Sequence, residues 1–170
     1  TGTIEKRFKS IGVESTEDNR RKYREMLFRA PAMSEAIGGV ILFDETIKQV
    51  STDGKPLREI ILEKGSLPGI KVDQGLIDFK TDKGEKLTQG LEGLDDRCRE
   101  YASLGAKFTK WRAVINIDEN IPTQDCIDAN MNALAKYASV AQKNGMVPIV
   151  EPEVIMAVSY THLTLPTTLQ

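Results

Sequence analysis

Four short apolar runs, each followed or preceded by a stretch with helical periodicity, constrain this chain more than any other feature. The runs are "IGGVILF" (37–43), "LPGIKVDQG" (67–75), "KFTKWRAVINI" (107–117) and "VPIVEPEV" (147–154). Between and before them lie the helical stretches. "STEDNRRKYREMLFRAP" (15–31) has a Ser/Thr cap, acids in its first turn, Tyr23, Met26 and Leu27 at helical spacing, and Pro31 as its stop. "LREIILEKG" (57–65) is a short helix closed by Gly65. "LEGLDDRCREYASLGA" (91–106) sets Leu91, Leu94, Cys98, Tyr101 and Leu104 on one face and stops at Gly105. "TQDCIDANMNALAKYASVAQKNG" (123–145) is the longest, with a stripe of Ile127, Met131, Leu134, Ala138 and Ala141. "TDKGEK" (81–86) is a polar turn. Strands alternating with helices of this length predict βαβ units and a parallel sheet.

The fold class is therefore α/β, and the number of units predicts part of a (β/α)8 TIM barrel. Four such units are half of an eight-fold barrel, which usually takes about 250 residues; this chain has 170. No "GxGxxG" follows any strand and no phosphate-binding P-loop is present, so a dinucleotide fold lacks its marker.

Buried parallel strands are expected to be continuous apolar runs. Three of these break the rule. "GIKVDQG" puts Lys71 and Asp73 on one face, "FTKWRAV" puts Lys110 and Arg112 on one face with Trp111 on the other, and "IVEPEV" aims Glu151 and Glu153 the same way. Unpaired buried charge is costly, so these groups must pair with one another or meet a charged ligand. One outcome is a structural ion-pair layer. The other is an active site at the carboxyl ends of the strands, where barrel enzymes keep their chemistry. Three neighbouring strands supplying cations and carboxylates together favour the second. Excess cations suit a phosphorylated or carboxylated substrate. A nearby cation and a second carboxylate push glutamate pKa values apart, which suits acid and base roles.

Composition excludes several other classes. The chain is 40% hydrophobic and 28% charged, with a net charge of −2 and interspersed signs, as in "NRRKYRE" (19–25). That leaves no basic stripe for nucleic acid or a membrane surface, and no nucleic-acid or membrane partner is expected. No apolar run approaches the roughly 18 residues of a membrane span. Cys98 and Cys126 are far apart with no histidine nearby, so no metal site is expected, and two reduced thiols suit a cytoplasmic location. The chain opens "TGTIEKRF" with no initiator Met or signal peptide, like the middle of a longer sequence. Its last stretch, "VSYTHLTLPTTLQ" (158–170), has no Asp, Glu, Lys or Arg and holds the single histidine, His162. The composition jump predicts a foreign or disordered tail, and "VSYTHLTLPTT" resembles the translation of a sequencing-library adaptor. The expected division is thus a partial barrel over 1–157 and a non-native tail over 158–170, with His162 no catalytic candidate.

"IGGVILFDETI" (37–47), "PGIKVDQGL" (68–76), "QGLEGLDDRC" (89–98), "KFTKWRAVINI" and "NGMVPIVEPEV" (144–154) resemble class I fructose-1,6-bisphosphate aldolase. "TGTIEKRFKSIGVESTEDNRRKYR" (1–24) resembles the segment after that family's first barrel strand. The resemblance implies a (β/α)8 barrel and a glycolytic lyase. Such an enzyme cleaves fructose 1,6-bisphosphate reversibly to dihydroxyacetone phosphate and glyceraldehyde 3-phosphate. It implies a lysine Schiff base as the electron sink, with no metal and no cofactor. It further implies a cytoplasmic location and a homo-oligomer, a tetramer, when full length. By position, Glu151 matches the acid/base glutamate of carbinolamine dehydration and Glu153 its hydrogen-bonding neighbour. Lys110 matches the lysine of "KWR" that holds the intermediate. Lys71 and Arg112 match other active-site cations. Thr3 and Arg7 fall where the family contacts a substrate phosphate, with Arg20 assisting. For Thr3 a helix-capping hydroxyl is an equal alternative, and for Arg20 a solvated helix residue is the stronger one.

Two departures qualify the resemblance. The family's first strand and catalytic Asp, expected just before Thr1, are absent. Its Schiff-base lysine, expected in an "LLKP"-like context past "EPE", is absent too. The polypeptide as written is expected not to catalyse cleavage, whereas a longer gene product would. An open parallel sheet should also be poorly soluble. Another phosphosugar barrel lyase or isomerase is the rival enzyme. A non-catalytic binding fragment is the rival from a different class.

Overall fold

The computed structural model describes residues 2–80 and 84–156. The tail expected over 158–170, with His162, lies outside the described residues, as does part of the polar turn over 81–86. The chain opens with three helices, α1 (Gly2–Ser10), α2 (Glu17–Phe28) and α3 (Met33–Ala36). Strand β1 (Gly39–Leu42) leads into two short helices, α4 (Asp44–Lys48) and α5 (Leu57–Glu63). Strand β2 (Leu67–Lys71) is followed by a hairpin of β3 (Leu76–Asp78) and β4 (Lys86–Thr88), then α6 (Leu94–Ser103). Strand β5 (Phe108–Ile117), helix α7 (Gln124–Lys143) and strand β6 (Val147–Met156) complete it.

The main sheet has four strands in the order β1-β2-β5-β6, and every neighbouring pair is parallel. The predicted α/β alternation is present at all four apolar runs. Each strand shows one face to the helices. Leu42, Ile70, Trp111 and Ala113 point into that layer with Leu57, Ile61, Leu94, Cys98 and Tyr137, and all are buried. Trp111 stacks on Tyr137 of α7 with centroids 5.3 Å apart. The opposite face carries Gly39 and Gly69, over which the Phe108 ring lies. A Cβ at Gly69 would sit 2.3 Å from that ring, so any larger residue there would have to displace Phe108. β1 and β6 are the free edges among the described residues, with Ile41, Val150 and Val154 exposed.

Two predicted apolar stripes are rotated. In α2 the buried residues are Arg24 and Phe28, while Met26 and Leu27 are exposed. Arg24 is inside because it has a carboxylate partner there. In α7 the buried line is Cys126, Asn130, Ala133, Leu134, Tyr137 and Ala141, and Met131 is exposed. Asn130 donates to the carbonyls of Lys86 (2.9 Å) and Cys126 (3.0 Å). The Tyr137 hydroxyl meets Thr109 Oγ1 at 2.7 Å and donates to Ile149 O at 3.2 Å. Hydropathy assigns these polar side chains to solvent; their hydrogen bonds make them interior.

Candidate active site

Charge gathers where β2 ends and along the middle of β5 and β6, on the face away from the helices. Lys71 and Lys110 are register partners on adjacent strands. β6 continues the row, with Glu151 opposite Arg112 and Glu153 opposite Val114. The ion pairs run diagonally across this register. Lys110 Nζ lies 2.6 Å from Glu151 Oε2, and Arg112 pairs through Nε with Glu153. Each cation reaches the carboxylate two residues further along β6, a spacing that same-face alternation allows. All four side chains are partly buried. The sequence-derived cluster of Lys71, Lys110, Arg112, Glu151 and Glu153 is thus one spatial group.

The two glutamates differ. Arg112 holds the Glu153 carboxyl below its ordinary range, chiefly through their hydrogen bond, and Glu153 in turn raises the Arg112 guanidinium. Glu151 Oε2 is buried and lies 2.6 Å from the Lys110 ammonium, with no other donor among the described residues bonded to it. It keeps an acceptor lone pair free beside an ammonium, which is the arrangement a proton carrier needs.

Asp73 completes the group, although sequence reasoning placed it only beside Lys71 and gave it no role. β2 ends at Lys71, and Asp73 follows with its side chain 4% exposed. It pairs with Lys71 and accepts from Gly75 N at 3.3 Å and, more weakly, from Arg112 N at 3.5 Å. The signal was the "KVD" spacing, which places both charges on one face.

A cleft of about 680 Å³ adjoins the cluster, walled by Phe43, Asp44, Lys48, Lys71, Asp73 and Tyr101. Its charges neutralise one another. Lys48 sits 2.9 Å from both Asp44 and Glu100, and the Tyr101 hydroxyl donates to Asp44 at 2.9 Å. Burial first, then that hydrogen bond, pushes the Tyr101 phenol up to about 12. Lys110 and Glu151 do not line this cleft; they face the open inner side of the sheet.

The three N-terminal candidates lie elsewhere. Thr3 is exposed inside α1, so it does not cap that helix from the preceding position. Arg7 donates to the Tyr23 hydroxyl at 3.0 Å. Arg20 is not a solvated helix residue: its side chain is 18% exposed and pairs with Glu45 at 2.7 Å. No hydrogen bond or ion pair among the described residues joins these three to the strand-end cluster. No group of three or more His, Cys, Asp or Glu side chains among the described residues is placed to hold a metal. Both cysteines are free and buried, and burial raises the Cys98 thiol to about 11.

The family model described as "Glycolytic: Fructose-bisphosphate aldolase class-I" matches residues 1–163. A probable fructose-bisphosphate aldolase class 1 of Xanthomonas campestris pv. campestris is 54% identical over 156 residues, 92% of this chain and 47% of the relative. Fructose-bisphosphate aldolase 5, cytosolic, of Arabidopsis thaliana is 52% identical over 155 residues, 91% of this chain and 43% of the relative. Among solved structures, fructose-bisphosphate aldolase from Plasmodium falciparum, in complex with TRAP and a small-molecule inhibitor, superposes with a TM-score of 0.87 at 45% identity. That match covers 91% of this chain and 45% of that one. The chain spans about half the length of the curated relatives it matches.

Proposed function

Since the chain belongs to the class I fructose-bisphosphate aldolase family, we propose that its strand-end cluster is the acid/base and cation-bearing part of an active site. The reaction is reversible cleavage of fructose 1,6-bisphosphate to dihydroxyacetone phosphate and glyceraldehyde 3-phosphate. The observation that carries this is the Lys110–Glu151 contact of 2.6 Å beside Lys71, on adjacent parallel strands at the carboxyl end of β2.

In this proposal Glu151 moves the proton. Its free acceptor position takes a proton from an attacking amine and returns it to the departing hydroxyl during imine formation. Lys110 beside it offers its ammonium to developing oxyanions. Glu153, held ionised by Arg112, keeps that guanidinium oriented. Lys71 and Arg112 supply positive charge for phosphate or carbonyl oxygens. Arg7 and Thr3 on α1 are the proposed contacts to a substrate phosphate; Arg20, which donates to both oxygens of Glu45, is not among them. The nucleophilic lysine is expected past "EPE", so Lys71 and Lys110 are not assigned that role. The Schiff base then drains electrons from the breaking carbon–carbon bond. A cytoplasmic location follows the "cytosolic" name of the Arabidopsis relative.

The test is a chimera in which this chain's 156 matched residues replace those of the Xanthomonas campestris relative. The chimera is expected to cleave fructose 1,6-bisphosphate and to be covalently trapped by borohydride with its ketone substrate. A chimera that folds, by circular dichroism, but neither cleaves nor traps would overturn the proposal.

A further inference from the structure

We propose that Thr88 is a positioning residue for Arg112: its hydroxyl replaces the neighbouring strand that β5 loses beyond Lys110. Pairing of β2 with β5 stops at Lys71↔Lys110, and Val72 N to Lys110 O, at 3.1 Å, is the last main-chain bond between them. On its other side β5 stays paired with β6 as far as Met156. The Arg112 peptide groups that point toward β2 therefore have no strand to meet. Two side chains take its place. Asp73 Oδ2 lies 3.5 Å from Arg112 N, and Thr88 Oγ1 donates to Arg112 O at 2.7 Å. Thr88 is 3% exposed, so water cannot easily substitute for it.

Thr88 can act this way because the β3–β4 hairpin is itself fixed. Gln74 N to Gln89 O and Gln89 N to Gly75 O, both 2.8 Å, close its base. Glu85, buried and without a cation partner among the described residues, accepts from Thr123 N at 2.6 Å and from its hydroxyl at 3.0 Å. That ties the hairpin to the first turn of α7. Asn130, also on α7, donates to Lys86 O, and Asn116 of β5 donates to Gly84 O. The hairpin is a strap laid across the end of β5, and Thr88 is the point where it meets the residue bearing the guanidinium. Arg112 uses Nε for Glu153, so its terminal nitrogens remain for an anionic ligand. A guanidinium fork recognises oxygens by angle, and a tilt of its peptide is carried outward along the side chain.

The inference rests on the proposed role of Arg112, so two readouts separate the two. In the 170-residue chain, hydrogen exchange of Arg112 Nε–H is followed by 15N NMR. Thr88→Val, which keeps the shape and drops the hydroxyl, is expected to speed that exchange about five- to tenfold, and Thr88→Ser to restore it. Thr88→Ala carries the same test should the valine variant not fold. In the chimera, Thr88→Val is expected to raise KM for fructose 1,6-bisphosphate about five- to tenfold with kcat within about twofold, again rescued by Ser. A Thr88→Val chain that melts lower but shows unchanged Nε–H exchange would make the bond merely structural and overturn the inference. An unsubstituted chimera without activity overturns the proposed function alone, since the exchange measurement still decides the role of Thr88.

Discussion

Two ionic clusters in this chain use the same residue types to opposite effect. At the junction of α2 and α4, Glu45 receives Arg20 on both oxygens, at 3.1 and 2.7 Å, and Arg24 on one of them. Gln49 adds a contact at 3.4 Å to Glu45 and accepts from Arg24 at 3.1 Å. Both oxygens of that carboxylate accept guanidinium hydrogen bonds, chiefly from Arg20, and its pKa falls to about 2. At the strand ends the pairing is one to one: Lys71 with Asp73, Lys110 with Glu151, Arg112 with Glu153. Acceptor and donor capacity is left over, and it faces the open side of the sheet. A saturated cluster docks one element onto another. An unsaturated one can still bind and exchange protons.

The largest expected effect is on chemistry. In the chimera, Glu151→Gln should lower kcat by about 10²- to 10⁴-fold, the usual contribution of a positioned acid/base group. Its melting temperature should move by no more than about 3 °C, because Lys110 is partly exposed and water can replace its partner. Glu45→Gln in the same background should keep most of the activity. Turnover within tenfold of the parent for Glu151→Gln would put the strand-end cluster in the same class as the Glu45 hub.

Second comes stability. Glu45→Ala leaves the Arg24 guanidinium, whose side chain is 7% exposed, without a carboxylate. The expected loss is about 2–3 kcal/mol, somewhat below the cost of breaking a fully buried pair, because Glu45 itself is 28% exposed. A urea titration of the chain measures it. An unchanged midpoint would mean that the hub holds nothing together.

The contrast also shows which parts of the molecule could be read from sequence. Strand positions and the shared face of Lys71, Lys110, Arg112, Glu151 and Glu153 follow from period-two alternation, which depends only on local geometry. The α/β alternation and parallel order follow from element lengths. Helix faces were harder. Met131 was expected inside and is exposed, while the apolar stripe omits the buried Asn130, because hydropathy counts a polar side chain as solvated whatever partner it finds. The Glu45 hub was invisible for the same reason: Arg20 and Arg24 sit in a charged run, and their carboxylate lies more than twenty residues away. Asp73 and Thr88 act through backbone groups that β5 leaves unpaired, and unpaired backbone has no signature in side-chain pattern. The β3–β4 hairpin was missed because its strands have three residues each, too short for alternation to register.

The smallest expected effect is on acid stability, and it sets the two clusters against each other directly. Glu45 and Glu153 both have carboxyl pKa values below the ordinary 4.5, Glu45 chiefly through Arg20 and Glu153 chiefly through Arg112. A depressed carboxyl binds fewer protons in the folded chain than in the unfolded one. Each group therefore stabilises the fold above pH about 4.5, and its contribution fades as pH falls through the folded pKa. For Glu45 that window runs from about 4.5 down to about 2. The two should not weigh equally, because the Arg112–Glu153 pair is 39% exposed on both sides and solvent screens it, whereas Arg24 faces Glu45 from the interior. Urea midpoints of the chain between pH 5 and pH 2 should thus fall less steeply in Glu45→Gln and almost unchanged in Glu153→Gln. Equal flattening by both would mean that the strand-end carboxylates are as firmly held as the hub. Spare capacity would then no longer distinguish a reactive cluster from a docking one.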